Sequence, residues 1–311
     1  MDLTEEHLLG IDIGGTKTSI GIFEKGREYR EILRIPTETP ELTLKKLRSA
    51  VEGTRKIGAI GIACGGPLDT KEGYILNPPN LPRWHNFNVV EFVSKSFDSK
   101  TFLMNDANAN ALAEWEFGAG QQVANMVFLT AGTGMGAGII CNNQLITGDT
   151  DDAGEVGHIR LQKKGPRGYG KHGSFEGFCS GGGIPNLVQY LPKTIKPKDW
   201  KKWKQDHPDV ISITDAADEG DPVAREVFRL SGYRLGEALA IIVDILNPSR
   251  IVLGTLFLHC YKYLAPAMDQ ALASEALTRN KENCTIVQSS LGKHIGGYGS
   301  ICAALYGLGK I

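Results

Sequence analysis

Residues 8–23 read LLGIDIGGTKTSIGIF: an apolar run, a Gly-Gly-Thr turn, then alternation through Thr18, Ile20 and Ile22. That is the pattern of strand, tight turn and strand. Shifted by 118 residues, 127–140 read VFLTAGTGMGAGII, so that Gly132 falls on Gly14, Thr130 on Asp12 and Ile140 on Ile22. A loose repeat at this distance is far too long for a solenoid unit and reads as two similar domains, each opening with the same hairpin. Chance likeness of two glycine-rich turns is the alternative.

Working outward, the spacing predicts a helix over 41–53, a buried strand at 57–63 (IGAIGIA), a turn at Gly65-Gly66-Pro67 and a loop at 77–84 (NPPNLPRW). A short strand at 101–104 then runs into Asn105-Asp106 and an Ala-rich helix over 107–117. Strands alternating with helices indicate an α/β fold. Beyond the second hairpin lie a glycine-rich segment, 165–183, and a lysine-rich stretch, 190–208, expected to be a solvated surface helix pair. A long amphipathic helix over 222–246, a strand at 250–253 ending on Gly254, and a glycine-rich turn entering a helix over 296–308 complete the pattern.

The composition narrows the function. The 311 residues suffice for about two domains, each with its own apolar core. Thirty-four Lys and Arg against thirty-five Asp and Glu leave a net charge of -1, with no global footprint for nucleic acid or an anionic membrane. The start, MDLTEEH, has neither the basic region nor the apolar core of a secretory signal, and a cytoplasmic location is expected. The strongly apolar stretch 238–243 is cut off by Asp244 long before the ~20 residues a membrane helix needs. Cysteines 64, 141, 179, 260, 284 and 302 form no CxxC pair and read as reduced, mostly buried thiols.

Glycine turns at strand ends are most often structural. They also expose backbone N–H groups with no Cβ in the way, which suits phosphate oxygens. Residues 132–137, GTGMGA, satisfy the GxGxxG/A pattern, but that motif requires a helix straight after the turn. Here 136–140 continue as a strand, which disfavours a dinucleotide-binding fold, and no GxxxxGK[ST] occurs.

DIGGTK (12–17), GTGMGAG (132–138) and IVLG (251–254) resemble the two phosphate motifs and the adenosine motif of the actin-like, sugar-kinase and heat-shock-protein-70 ATPase superfamily. Within it, NDANA (105–109) and GEVGH (154–158) resemble the ROK family (repressor, open reading frame, kinase). The resemblance runs from about Leu8 to the C-terminus, with the motifs in the family's order. It implies two ribonuclease-H-like domains, 1–118 with about 297–311 and 119–296, holding ATP and a sugar in the cleft between them. It further implies an ATP-dependent hexose kinase, glucose to glucose 6-phosphate being the leading reaction, with fructose, mannose, N-acetylmannosamine and N-acetylglucosamine as alternatives. A non-catalytic sugar sensor remains a third reading. A family repressor carries an N-terminal helix-turn-helix module; since Leu8 already opens the first hairpin, direct DNA binding is not expected. A homodimer is expected from the family.

By the same resemblance Asp106 is the catalytic base, although an isolated Asn-Asp before a helix is ordinarily a cap. Asn105, Glu155, His158 and Glu176 would bind sugar hydroxyls together with Asp106, and Gly65, Gly66 and Asn80 would complete that site. Carboxylates and amides suit the task because each can bridge paired hydroxyls. Asp12 would be the carboxylate on the Mg²⁺ side, through water, since Mg²⁺ keeps much of its hydration shell. Gly14, Gly15, Thr16 and Lys17 would face the phosphates, Thr133 and Gly134 would close on them from the other domain, and Gly254 would flank the adenosine.

Two departures stand out. Many members carry CxCGxxGCxE, three zinc-binding cysteines working with the His of GxxGH; here those positions are Arg167, Tyr169 and Ser174, so no zinc site is expected. Residues 165–183 must then be held by hydrogen bonds and packing. Gly254-Thr255 replaces the usual Gly-Gly, which places a Cβ beside the expected adenine site.

Overall fold

The structure, a computed structural model, describes residues 7–24, 28–54 and 57–311. Of the acidic leader only His7 lies within the described residues.

The first hairpin forms as its pattern predicts. Strand β1 (His7–Ile13) pairs antiparallel with β2 (Lys17–Glu24), Gly10 opposite Gly21, and β2 pairs with β3 (Glu28–Pro36). Helix α1 (Pro40–Ala50) leads to β4 (Ile57–Cys64), which lies parallel to β1. Three two-residue strands, β5 (Leu68–Asp69), β6 (Tyr74–Ile75) and β7 (Phe87–Asn88), make a small side sheet. Helix α2 (Val89–Phe97) then precedes β8 (Thr101–Asn105), parallel to β4, and α3 (Asp106–Phe117). The main sheet has the order β3-β2-β1-β4-β8.

The second half repeats it strand for strand. β9 (Met126–Ala131), β10 (Met135–Cys141) and β11 (Gln144–Ile146) form the antiparallel part. A small hairpin, β12 (Arg167–Gly168) and β13 (Lys171–His172), and helices α4 (Phe175–Cys179), α5 (Trp200–Asp206), α6 (Val210–Asp218) and α7 (Pro222–Leu246) follow. β14 (Arg250–Leu253), α8 (Phe257–Glu275), α9 (Thr278–Asn283) and β15 (Thr285–Gln288) add the parallel part, giving β11-β10-β9-β14-β15. The equivalence seen at a shift of 118 residues is therefore a repeat of topology, not a chance likeness of turns.

The last helix, α10 (Ile295–Gly307), returns to the first sheet. It crosses β1 and β4 where neither strand has a side chain: a Cβ on Gly61 would stand 1.8 Å from the Ser300 carbonyl oxygen. The expected glycine-rich turn at its start is instead the first turn of the helix itself. Gly297 and Gly299 are glycine within the helix because Tyr29 and Asn110 leave no room for a side chain; a Cβ would stand 2.2 Å from the Tyr29 ring and 2.6 Å from Asn110 Oδ1.

The lysine-rich stretch also departs from expectation. It holds a single seven-residue helix, α5, rather than a pair. Trp200 and Trp203 pack against the core of the second lobe, and Trp203 Nε1 donates to Asp221 Oδ2 at 2.9 Å. Asp221 in turn caps α7, which spans the residues its amphipathic pattern predicts and stops at Asn247 in the left-handed conformation. No described helix is long and apolar enough to cross a membrane. All six cysteines are free thiols, four of them buried.

Candidate functional site

A cleft of about 790 Å³ lies between the two sheets, beyond the ends of their central strands. Its first wall holds Gly14 and Gly15 of the β1–β2 turn, Gly65 and Gly66, Asn80, and Asn105 and Asp106 at the junction of β8 and α3. Its second wall holds Thr133 and Gly134 of the β9–β10 turn, Glu155, His158 and Glu176. Twelve of the residues singled out in the sequence thus meet in one cavity. Asp12, Thr16, Lys17 and Gly254 are not among its lining residues.

The β8–α3 junction settles which residue caps the helix. Asn105 does, its Oδ1 accepting from the N–H groups of Ala107 (2.9 Å) and Asn108 (3.4 Å). Asp106 is the first helical residue, with Oδ1 2.8 Å from the Ala107 nitrogen and Oδ2 turned toward Gly65. Burial raises its carboxyl above the ordinary aspartate value, against the Ala107 N–H, which favours the charged form.

Asp12 stands behind the cleft wall at the start of α10. A Cβ on Gly296 would come 2.3 Å from its Oδ2, so only glycine lets the helix end approach the carboxylate. Burial first, then the nearby charge of Asp106, lifts its pKa to about 6.

On the opposite wall Ser174 caps α4, its Oγ accepting from Gly177 N–H at 3.1 Å, and this holds Glu176 in the first helical turn. Glu176 Oε2 accepts from Met135 N–H at 3.0 Å, tying the carboxylate to the start of β10. Glu155 precedes a single 3₁₀ turn, Val156–His158. Burial raises the Glu155 carboxyl; His158 opposes that, while Asp152, Glu176 and Asp106 add to it.

Residues 165–183 are secured as the missing cysteines require. Lys171 Nζ donates to the His158 carbonyl (2.7 Å), Ser174 Oγ to the Lys171 carbonyl (3.2 Å) and Tyr190 OH to the Gly165 carbonyl (2.9 Å). Among the described residues no group of three His, Cys, Asp or Glu side chains is arranged to hold a metal ion. The same segment supports the second turn, since Gly181 N–H donates to the Gly132 carbonyl at 2.8 Å.

Asp151 and Asp152 line the cleft without any sequence signal, and Tyr169, which stands at a cysteine position of the family's zinc motif, carries no signal for the cleft. The two aspartates sit on a loop with no motif, and only the chain path brings them to the cleft. Thr70, in the turn between β5 and β6 of the first lobe, donates to Asp151 Oδ2 and so bridges the two lobes. The lining carries five carboxylic acids, Asp106, Asp151, Asp152, Glu155 and Glu176, and among the described residues no Lys or Arg.

Gly254 has a packing reason of its own: a Cβ there would stand 2.4 Å from the Phe128 ring. Thr255 adopts φ 55°, and its hydroxyl turns to the Ala131 backbone.

Two sheets of the same strand order, facing each other across a cleft floored by glycine turns, define the actin-like ATPase fold. The chain belongs to the ROK family, whose family model matches residues 8–306. It is 32% identical over 259 residues to a glucokinase of Streptomyces coelicolor, covering 79% of this chain and 80% of that protein. It is 28% identical over 296 residues to NagC of Escherichia coli, a DNA-binding transcriptional dual regulator, covering 92% and 72%. The crystal structure of a ROK family glucokinase from Streptomyces griseus in complex with glucose and AMPPNP superposes with a TM-score of 0.77 at 26% identity, covering 96% and 99%. The relatives thus include both kinases and regulators.

Proposed function

We propose that this chain is an ATP-dependent hexose kinase, with glucose as the leading substrate and glucose 6-phosphate as product. The observation that carries the reading is Asp106. Its carboxylate lies at the cleft beside Gly65, within the cavity that Glu155, His158 and Glu176 line from the other wall. A group so placed can accept the proton of a sugar hydroxyl as that oxygen attacks the γ-phosphorus.

The residues fit a nucleotide carrying a metal. A Cβ on Gly132 would meet nothing within 4 Å, so the chain there lies open to a phosphate. With Gly14, Gly15, Thr133 and Gly134 also lining the cleft, backbone N–H groups are available from both turns. Because the lining has carboxylates and no Lys or Arg, a polyphosphate needs a cation to enter. Bound Mg²⁺ would neutralise the phosphate oxygens and the charge developing on them. Asp12 does not line the cleft, so it would act on that ion through water. Thr16 and Lys17 would close the exposed side of the first turn, and Gly254 would set the chain behind the nucleotide.

On the sugar side, Asn105 spends its oxygen on the helix cap, which leaves its amide N–H groups for a hydroxyl. Holding the hydroxyl in line with the phosphate can contribute ~7–11 kcal/mol, against the 10²–10⁴-fold typical of a general base, so positioning dominates. The packing of α10 on β1 and β4 supports a division into 1–118 with about 297–311, and 119–296.

The test is ADP release from Mg·ATP over a panel of hexoses and N-acetylhexosamines. Rapid turnover with one sugar names the substrate; no turnover with any of them refutes the kinase reading. NagC, at 28% identity over most of the chain, supports a second reading as a sugar sensor. Sugars that raise the melting temperature without ADP release would establish it.

A further inference from the structure

Tyr169 and Gly170 form the two-residue connection between β12 and β13, with Gly168 paired to Lys171 and Arg167 to His172. Both have positive φ, 40° and 81°, the pattern of a type I′ turn. Such turns favour Asn, Asp or Gly at the first position, because a bulky L side chain is strained there. Gly170 suits its place and Tyr169 does not.

The core gains nothing from this tyrosine, which is 63% exposed. Its ring stands at the mouth of the cleft, edge-to-face with the His158 imidazole, centroids 5.0 Å apart and planes at 78°. The hairpin beneath it is firmly seated. Gly168 packs so closely on α4 that a Cβ would lie 2.6 Å from Gly177 N and 2.9 Å from Glu176 Cβ. Lys171 Nζ holds the His158 carbonyl. The ring is therefore carried on the same rigid support as Glu176 and His158. An aromatic group in a backbone conformation that disfavours it, turned to a carboxylate-lined cavity, marks a functional position.

We propose that Tyr169 is a sugar-contacting specificity residue: its ring packs on the C–H face of a pyranose whose hydroxyls are bound by Glu155, His158 and Glu176. This rests on reading the cleft as a sugar site. A pyranose exposes hydroxyls around its rim and C–H groups on its faces, so polar groups on one side and an aromatic face on another recognise it whole. Tyrosine supplies that area with few rotatable bonds to immobilise. The contact favours closed-ring hexoses over acyclic hexitols bearing the same hydroxyls. Its edge contact also fixes the plane of the His158 ring.

The test compares the wild-type protein with Tyr169→Phe and Tyr169→Asn, using the sugar that wild type turns over or, failing turnover, binds most tightly by calorimetry. Asn suits the first position of a type I′ turn, so Tyr169→Asn should melt at or above the wild-type temperature. It should nonetheless weaken sugar binding, as Kd or KM, by roughly 3- to 10-fold, with Mg·ATP affinity within twofold of wild type. Tyr169→Phe should retain the wild-type sugar affinity. Unchanged sugar affinity in Tyr169→Asn overturns the proposal. So does a lowered melting temperature with sugar and nucleotide weakened together, which would make the hairpin a structural brace. Failure of the wild-type protein to bind any sugar sinks the sugar-site reading itself, and is seen before either variant is measured.

Discussion

The Thr255 hydroxyl is joined twice to Ala131: it donates to the carbonyl and accepts from the N–H, both at 2.7 Å. These bonds hold a β-branched residue at φ 55°, a region it disfavours, and tie the end of β14 to the end of β9. Thr255→Val keeps the strain and removes both bonds, leaving the Ala131 carbonyl with only the Leu256 N–H at 3.3 Å. It should cost about 2–3 kcal/mol in urea denaturation. Thr255→Gly loses the same bonds but removes the strain, and should fall within about 1 kcal/mol of wild type.

Asp106→Asn keeps the shape of the junction while removing the base. Turnover should fall by at least about 100-fold, with sugar and Mg·ATP affinity, read by calorimetry, within a few-fold of wild type. Loss of binding in proportion to turnover would mean that Asp106 holds the substrate rather than the proton.

The acid limb of activity follows from the same residue. A base must be unprotonated, so activity is lost as pH falls through its pKa. Burial raises that pKa above the ordinary ~4 of aspartate. The kcat/KM profile should therefore decline at a pH above that of an ordinary aspartate. A profile flat down to pH 4 would contradict this placement of Asp106.

Asp12 predicts a trade of stability against function. Its pKa, about 6 when folded against 3.8 as a free group, means that the folded chain holds its proton more tightly. Stability from this group is full below pH 3.8 and falls as pH rises through 6. Asp12→Asn should raise the stability of the ligand-free protein at pH 7.5 by about 1–3 kcal/mol and flatten its change between pH 4 and 6. It should also impair phosphoryl transfer. Urea midpoints at several pH values, with ADP release measured alongside, decide both halves.

Glu114, buried at the end of α3, accepts from Ala119 N–H (2.7 Å), Leu291 N–H (3.2 Å) and the Ser289 hydroxyl. It thereby joins the segment leaving the first lobe to the segment returning to it. Glu114→Ala strands several buried donors and should cost about 3 kcal/mol or more, measured by urea denaturation. Glu114→Gln, which keeps one acceptor, should cost clearly less.

The parts of the fold legible in the sequence are those where one local signal decides the structure. The two hairpins show because an apolar run meets a glycine turn, and α7 shows because its period is long and its caps are Asp221 and Asn247. Strand β3 does not: its five charged and aromatic residues hide an edge strand whose faces are only half covered. Helix α8 carries Pro266 in its interior, which masks its continuity. The glycines of α10 read as a turn because the atoms that require them belong to Asp12, Tyr29 and Asn110, remote in sequence. The site divides in the same way. Asp106 and Glu155 lie in recognisable motifs, whereas Asp151 and Asp152 reach the cleft only through the path of the chain, and Tyr169 fills a motif position whose usual cysteine says nothing of an aromatic contact.

The return of α10 to the first sheet bears on how the protein is made. During synthesis β1 and β4 emerge early, but the notch at Gly10 and Gly61 stays open until Ser300 has left the ribosome. The first lobe to be translated is thus the last to be finished. Until then the apolar face around the notch lies uncovered, the kind of surface that makes a half-made lobe prone to misassembly.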